Sequence, residues 1–236
     1  MPKVLAVLGV GPGLGLSVAH RFGREGFTTA LVSRSDARHA DYRTSLSGVH
    51  ALTYTADVTD ESRLRDVLVR ITADAGEIDT VYFGPADATG GPGLTPLTEA
   101  GAGTLRASFD AVVAPAARLV EAVLPGMLAR GSGSLLFAGG LSGKYPMPML
   151  GSLAPASAAL RMYVLTLHAA LRETGVHAGL LTIGGLIERG DIHRAFTAQD
   201  HGFDVGTLDP DDIAGKAWEL YTAREAEAEF NAMATV

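Results

Sequence analysis

Apolar runs of strand length recur along the chain at residues 3–8, 28–33, 51–56, 80–83, 134–138 and 177–183, and stretches of helical length separate them. Strands alternating with helices predict an α/β fold with a doubly wound parallel sheet, of the Rossmann type. The first helix places Leu14, Val18 and Phe22 on one face, with Gly26 where a C-terminal cap belongs. In the third, Thr59 or Asp60 can cap the start, Leu64, Leu68 and Ile71 form the inward stripe, and Gly76 ends the helix. A longer helix over residues 104–129 carries Pro115 in its interior, which predicts a kink or break near Val113. Another helix is expected over residues 152–173. After the strand at 177–183, a glycine-rich, partly polar excursion over residues 184–207 reads as a mobile lid over a substrate. A last helix begins near Pro210, and residues 225–236 read as an edge strand.

No Pro/Gly/Ser-rich linker or charge block divides the 236 residues, and no repeat recurs in them, so residues 1–236 read as a single domain. Hydrophobic residues make up 47% of the chain and charged ones 19%, enough apolar material for a large core. The absence of cysteine excludes disulfides, thiolate catalysis and Cys-based metal sites, and a net charge of −7 offers no basic footprint for nucleic acid. The apolar stretch at residues 4–8 is far shorter than a signal-peptide core or a membrane span, which predicts a cytoplasmic protein with no membrane partner. Glu225, Glu227 and Glu229 alternate as a solvated strand face would, with no histidine nearby to complete a metal site.

Between the first strand and the first helix lies Gly9, Val10, Gly11, Pro12, Gly13, Leu14, Gly15. Glycines at a strand-to-helix turn let backbone amides face a diphosphate with no side chain in the way, and the helix N-terminus favours its negative charge. This context, more than the glycines themselves, points to a dinucleotide. The second strand ends at Ser33 and Arg34, where such folds seat the adenosine ribose. Arg34 would meet a 2′-phosphate there, so NADP(H) is preferred, with NAD(H) as the alternative. The competing reading of Arg34 is an ordinary solvated surface arginine.

The spacing of Gly9, Gly13 and Gly15 resembles the glycine pattern of the short-chain dehydrogenase/reductase superfamily. Asp57 and Val58, after the third strand, look like the pair that contacts adenine in that family. Leu124-Pro125-Gly126-Met127 resembles the end of its long helix after the fourth strand, and Gly184-Gly185 through Ile187 falls where a Pro-Gly turn precedes a residue touching the cofactor carboxamide. Gly84 lies in Phe83-Gly84-Pro85-Ala86, which stands where the family has Asn-Asn-Ala-Gly beside the cofactor. The resemblance covers nearly the whole chain. It implies an oxidoreductase acting on a small molecule, and a homodimer or homotetramer with the helices around Val112 and Leu160 at its interfaces.

The same resemblance implies a tyrosine proton donor, a lysine four residues later, a serine that polarises the carbonyl and an asparagine in a proton relay. In this chain those positions fall on Leu153, Ser157, Gly140 and Val112 or its neighbours, and no tyrosine anywhere is followed by lysine four residues on. Loss of a general acid typically costs about 10²–10⁴ in rate, so a replacement is required for efficient turnover. Tyr145, beside Lys144 and followed by Pro146 and Pro148, is one candidate, or else an apolar lid residue. Ser142 can polarise a carbonyl or cap its loop. Ser157, one turn after Leu153, can bond the nicotinamide ribose or simply pack near the helix start. His168 lies about 22 Å along the helix from Leu153, too far for the cofactor edge, and reads as structural. Three functions remain open on this reading: an NADP(H) oxidoreductase acting on a carbonyl, imine or enone, a nucleotide-binding sensor or accessory protein with a decayed site, and a non-redox cyclase or dehydratase in the same pocket.

Overall fold

The computed structural model describes residues 2–85, 94–199 and 205–233. In chain order the elements are β1 (Val4–Leu8), α1 (Leu14–Arg24), β2 (Thr28–Ser33), α2 (His39–Ser45), β3 (Ala51–Thr55), α3 (Glu61–Ala75), β4 (Ile78–Phe83) and α4 (Ala102–Arg130). They continue with β5 (Gly133–Gly140), α5 (Leu153–Ala170), β6 (Val176–Gly184), β7 (Leu186–Ile187), α6 (Asp191–Thr197), β8 (Thr207–Leu208), α7 (Pro210–Ala223) and β9 (Glu227–Asn231). Seven strands form one parallel sheet in the order β3-β2-β1-β4-β5-β6-β9, and β7 pairs with β8 in a second, two-stranded sheet. The order reverses between β1 and β4, which is where an open α/β sheet binds its ligand.

Helices cover both faces, so the central strands are buried on both sides and read in the sequence as continuous apolar runs. On β1, Val4, Ala6 and Leu8 pack into the layer with α3, α4 and α5, while Leu5 and Val7 face α1 and α7. The inward stripe of α1 is Leu14, Val18 and Phe22. Phe22 is fully buried and meets Phe27, Trp218 and Tyr221 edge-on, which docks α7 onto α1. Asp60 caps α3 by accepting from the Arg63 amide at 3.0 Å, and Gly76 ends that helix at φ +98°. Asp209 caps α7, with Pro210 in its first turn.

Two expectations need correction. Helix α4 runs unbroken from Ala102 to Arg130 with both Pro115 and Pro125 inside it. The hydrogen bond forfeited at Pro115 is outweighed by burial of Pro115, Ala116, Leu119, Val120 and Met127 along one side. With a mean hydropathy of 1.5 in its most apolar window, α4 is long and apolar enough to cross a bilayer; it packs against α3, α5, β4 and β5 as part of one helical layer. Residues 184–199 of the expected lid include β7 and α6, and residues 200–204 lie outside the described residues. Secondly, the tail forms β9, an edge strand paired with β6, and of its alternating glutamates Glu225 and Glu229 are exposed while Glu227 is half-buried. Glu227 takes a bidentate ion pair from Arg161 at 2.6 and 2.8 Å and a hydrogen bond from Thr182 at 2.6 Å, and Glu229 pairs with Lys144. The Arg161 guanidinium holds the Glu227 carboxyl below its ordinary range.

His177 on β6 is buried, with Nε2 2.7 Å from the Glu225 carbonyl and Nδ1 3.0 Å from the Ser134 hydroxyl. A neutral ring satisfies both contacts, donating through Nε2 and accepting at Nδ1. Burial lowers its pKa from 6.5 to about 4. The unfolded chain therefore takes up a proton, as pH falls from the ordinary value toward the lowered one, that the folded chain refuses, and stability present at neutral pH is lost over that window. Urea unfolding at pH 7 and pH 5 should differ by about 2 kcal/mol from this group alone, and His177→Asn should flatten the difference. An unchanged pH dependence in the variant would sink the assignment.

Candidate functional site

The carboxyl edge of the sheet gathers most of the residues expected at a nucleotide. The glycine loop leaves β1 at Gly9 with φ +87°, and the amides of Gly9 and Val10 both donate to the Val32 carbonyl, at 3.0 and 2.9 Å. A Cβ on Gly9 would lie 2.6 Å from the Pro85 Cα; one on Gly13 would lie 3.1 Å from the Glu188 carbonyl oxygen and from Gly190; one on Gly15 would lie 3.0 Å from the Val10 Cα. Gly11 faces open space. No side chain caps α1 at Gly13 and no acidic residue stands in its first turn, so its N-terminal amides are oriented for an anion. Leu14 closes the loop as the first helical residue and points into the core.

The end of β2 places Ser33 at hydrogen-bonding distance, 2.8 Å, from both the Ser35 carbonyl and His39 Nε2, and leaves Arg34 exposed. Asp57, after β3, accepts from the hydroxyl and amide of Thr59 at 2.7 and 3.0 Å, and these bonds hold its carboxyl below the ordinary range. Val58 beside it is buried. Gly84 continues the edge from β4, with its amide on the Leu8 carbonyl at 3.1 Å. Gly185, at φ +153°, and the half-buried Ile187 follow β6. The segment after Ile187 lies directly on the glycine loop: Arg189, at φ +64°, reaches Asp211 at 2.9 Å and Ser17 and Asp209 at 3.3 Å.

A second group gathers at the carboxyl end of β5. Gly140 ends that strand, and a Cβ there would stand 3.4 Å from the Ser142 Oγ and 3.6 Å from the Ser157 Oγ. Both serines are buried, Ser142 in a short 3-10 turn and Ser157 on the second turn of α5. Among the described residues the Ser142 hydroxyl has no hydrogen-bond partner. The turn is clamped onto the helix, because a Cβ on Gly143 would meet the Ser157 carbonyl at 2.7 Å. Tyr145 is not gathered in. It is 45% exposed, and the Lys144 ammonium beside it pairs with Glu229 and lies 5.5 Å from the centre of the ring. His168, at the far end of α5, has Nδ1 2.8 Å from the Ala178 carbonyl.

Several polar features of the site escaped the sequence reading. Arg38 forms a bidentate pair with Asp191 at 2.7 and 3.0 Å, tying the loop after β2 to α6, and Arg194 joins the same carboxylate. The Arg38 guanidinium holds the Asp191 carboxyl low. A basic residue soon after β2 is a visible signal, but its partner 153 positions away is not. Ser108 on α4 donates to Ser152 at 3.0 Å, a buried link between α4 and the start of α5. Tyr82 on β4 is 2% exposed, and burial alone pushes its phenol well above the ordinary pKa.

The glycine loop lies at the switch point of a doubly wound parallel sheet, between β1 and β4, where folds of this architecture take their ligands. Residues 3–191 match the short chain dehydrogenase family, and the chain belongs to it. Among curated relatives it is 27% identical over 232 residues to the glycine betaine reductase ATRR of Emericella nidulans, covering 95% of this chain but only 18% of that protein's length. It is 24% identical over 229 residues to the NADP-dependent 3-hydroxy acid dehydrogenase YdfG of Salmonella typhi, covering 93% and 89%. Among solved structures, it shares its fold with the apo short chain oxidoreductase of Pseudomonas aeruginosa PAO1 described as containing an atypical catalytic center. That match has a TM-score of 0.82 at 17% identity and covers 98% of this chain and 96% of the other.

The crowding at Gly9 makes a direct prediction. Gly9→Ala adds a Cβ at positive φ against the Pro85 backbone, so unfolding free energy should fall by roughly 2–4 kcal/mol, read by urea denaturation. A loss below about 0.5 kcal/mol would show that the loop relaxes freely.

Proposed function

We propose that the chain is an NADP(H)-dependent oxidoreductase that reduces a small organic carbonyl, imine or enone and takes its proton from a group other than the family's tyrosine. The observation that carries this reading is the convergence of Ser142 and Ser157 on Gly140, the place where the family's catalytic serine would fall. NADPH, when bound, supplies the hydride. Gly11, which faces open space, and the absence of a side-chain cap on α1 support a diphosphate at the glycine loop, whereas the Cβ positions of Gly9, Gly13 and Gly15 are closed by the backbone of Pro85, of Glu188 and Gly190, and of Val10. Arg34, exposed at the end of β2, is placed for a 2′-phosphate, and the NADP-dependence named for the Salmonella relative supports that preference. Ser142 donates a hydrogen bond to the acceptor oxygen or nitrogen of the substrate and draws off its developing charge. Ser157 holds the nicotinamide ribose. An imine or enone needs less help from a strong proton donor, which suits a chain in which no tyrosine has lysine four residues on.

Residues 184–207 act as the lid in this reading, supported by the contact of Glu188 and Gly190 with Gly13 and by the pins from Arg189 and Asp191. Two or four copies associate through α4 and α5, a reading supported by the exposure of Phe109 and Met162. A second reading, a nucleotide-binding accessory protein, is favoured by Leu153 at the tyrosine position and by the outward placement of Tyr145.

Loss of reduced-nicotinamide absorbance with a panel of carbonyls, imines and enones distinguishes the two. Turnover is expected with at least one class, with NADH binding at least tenfold more weakly than NADPH. Arg34→Ala should weaken NADPH by about tenfold and leave NADH unchanged. Ser142→Ala should lower kcat by about 10²-fold with little change in NADPH affinity. Tight NADPH binding with no turnover across the panel would favour the accessory reading instead.

A further inference from the structure

The loop after β2 and the segment after β6 leave the sheet on opposite sides of β1, β4 and β5, four strand spacings or about 19 Å apart. Their side chains nevertheless meet. Arg38, just before α2, donates two parallel hydrogen bonds of 2.7 and 3.0 Å to Asp191, the first residue of α6. On its way to Arg38 the chain after β6 crosses the glycine loop: a Cβ on Gly13 would lie 3.1 Å from the Glu188 carbonyl oxygen and from the Gly190 amide nitrogen. Gly11, two residues earlier, stays open. His39, next to Arg38, has Nε2 2.8 Å from the Ser33 hydroxyl, which ties the Arg38 end of the crossing to the end of β2.

The crossing segment has a root of its own. The Glu188 amide donates to the Leu208 carbonyl at 3.0 Å, and the Gly190 amide closes a tight turn on the Ile187 carbonyl at 3.2 Å. Arg189, at the bend, reaches Asp211 on α7 at 2.9 Å and keeps a φ of +64°. A side chain holds that left-handed conformation only where its surroundings impose it. The far end is fastened differently. Arg38 and Asp191 are 48% and 41% exposed, and an exposed ion pair contributes little to a fold and is screened by salt. Weakness is a defect in a structural tie and a requirement in a fastening that opens.

We propose that the Arg38–Asp191 pair is a latch that closes residues 187–191 over the bound nucleotide and sets the rate of cofactor exchange. The inference rests on the cofactor reading given under Proposed function. A nucleotide with its diphosphate at the glycine loop and its adenosine ribose at Ser33 and Arg34 lies inside the ring made by the sheet edge, the two segments and the pair. Opening the pair widens its way in and out.

The test is stopped-flow measurement of NADPH association, and of its release into excess NADP+, with the full chain and with Asp191→Asn, read by nicotinamide fluorescence. Both rates should rise about fivefold in the variant, with Kd changed by less than about twofold. Loss of a negative charge near an anionic ligand would by itself slow release, so faster release separates a latch from a simple charge effect. Because the chain has no cysteine, Arg38→Cys combined with Asp191→Cys and joined by a short bis-maleimide gives the converse. Uptake and release should then be about tenfold or more slower than in the same variant left unjoined. Release from Asp191→Asn at the parental rate or slower, or exchange in the joined variant as fast as in the unjoined one, would overturn the proposal; tight NADPH binding by the parent chain would leave the cofactor reading standing. A parent chain that does not bind NADPH removes the cofactor reading and the latch together.

Discussion

Two amides, those of Gly9 and Val10, converge on the single carbonyl of Val32, while the amide of Gly84 reaches the carbonyl of Leu8. These contacts hold three adjacent strands at the carboxyl edge with backbone against backbone, at a spacing that a side chain at position 9 would not permit. Much else follows from them. The exit direction of the loop sets where α1 begins, and α1 must then bury Leu14, Val18 and Phe22 on the sheet. Phe22 in turn gives α7 its seat through Trp218 and Tyr221. The same backbone crowding shapes the turn from β1 into α1, whose N-terminus no side chain caps.

The strands and the glycine loop were legible in the sequence because they depend on local signals. A central strand buried on both faces must be apolar throughout, as β1 and β2 are, and a loop that admits no side chain must be glycine. The resemblance of the loop and of Asp57-Val58 to the short-chain dehydrogenase pattern came from the same local residues. Pairings across long sequence separations left no such trace. Glu227 reads as one of three alternating acids, yet it sits half-buried between Arg161, 66 positions earlier, and Thr182. Arg38 and Asp191 find each other only through the fold. In α4 a local rule was legible and lost: Pro115 argues for a break, and a long buried stripe overrides it.

The polar ties sort into two jobs. Arg161, Glu227 and Thr182 bind α5 and β6 to the edge strand, and because the pair is largely withdrawn from water, removing one partner would cost more than the intact pair contributes. Lys144 and Glu229 fasten the loop after β5 to that same strand. With its lysine committed there, Tyr145 is left facing solvent, and the polar atoms nearest Gly140 are the two serine hydroxyls.

The chain contains one tryptophan, and it is Trp218. Its indole lies edge-on to Phe22, with the Arg21 guanidinium 4.9 Å from the ring centre, both on α1, and it also meets Phe27 just after α1 and Tyr221 on its own helix. Intrinsic emission therefore reports on the seam between the helix that opens at the glycine loop and the helix that closes the fold. A spectral change on adding a nucleotide would read a displacement of α1 as a whole, making this residue a built-in optical gauge of how stiffly the cradle is mounted.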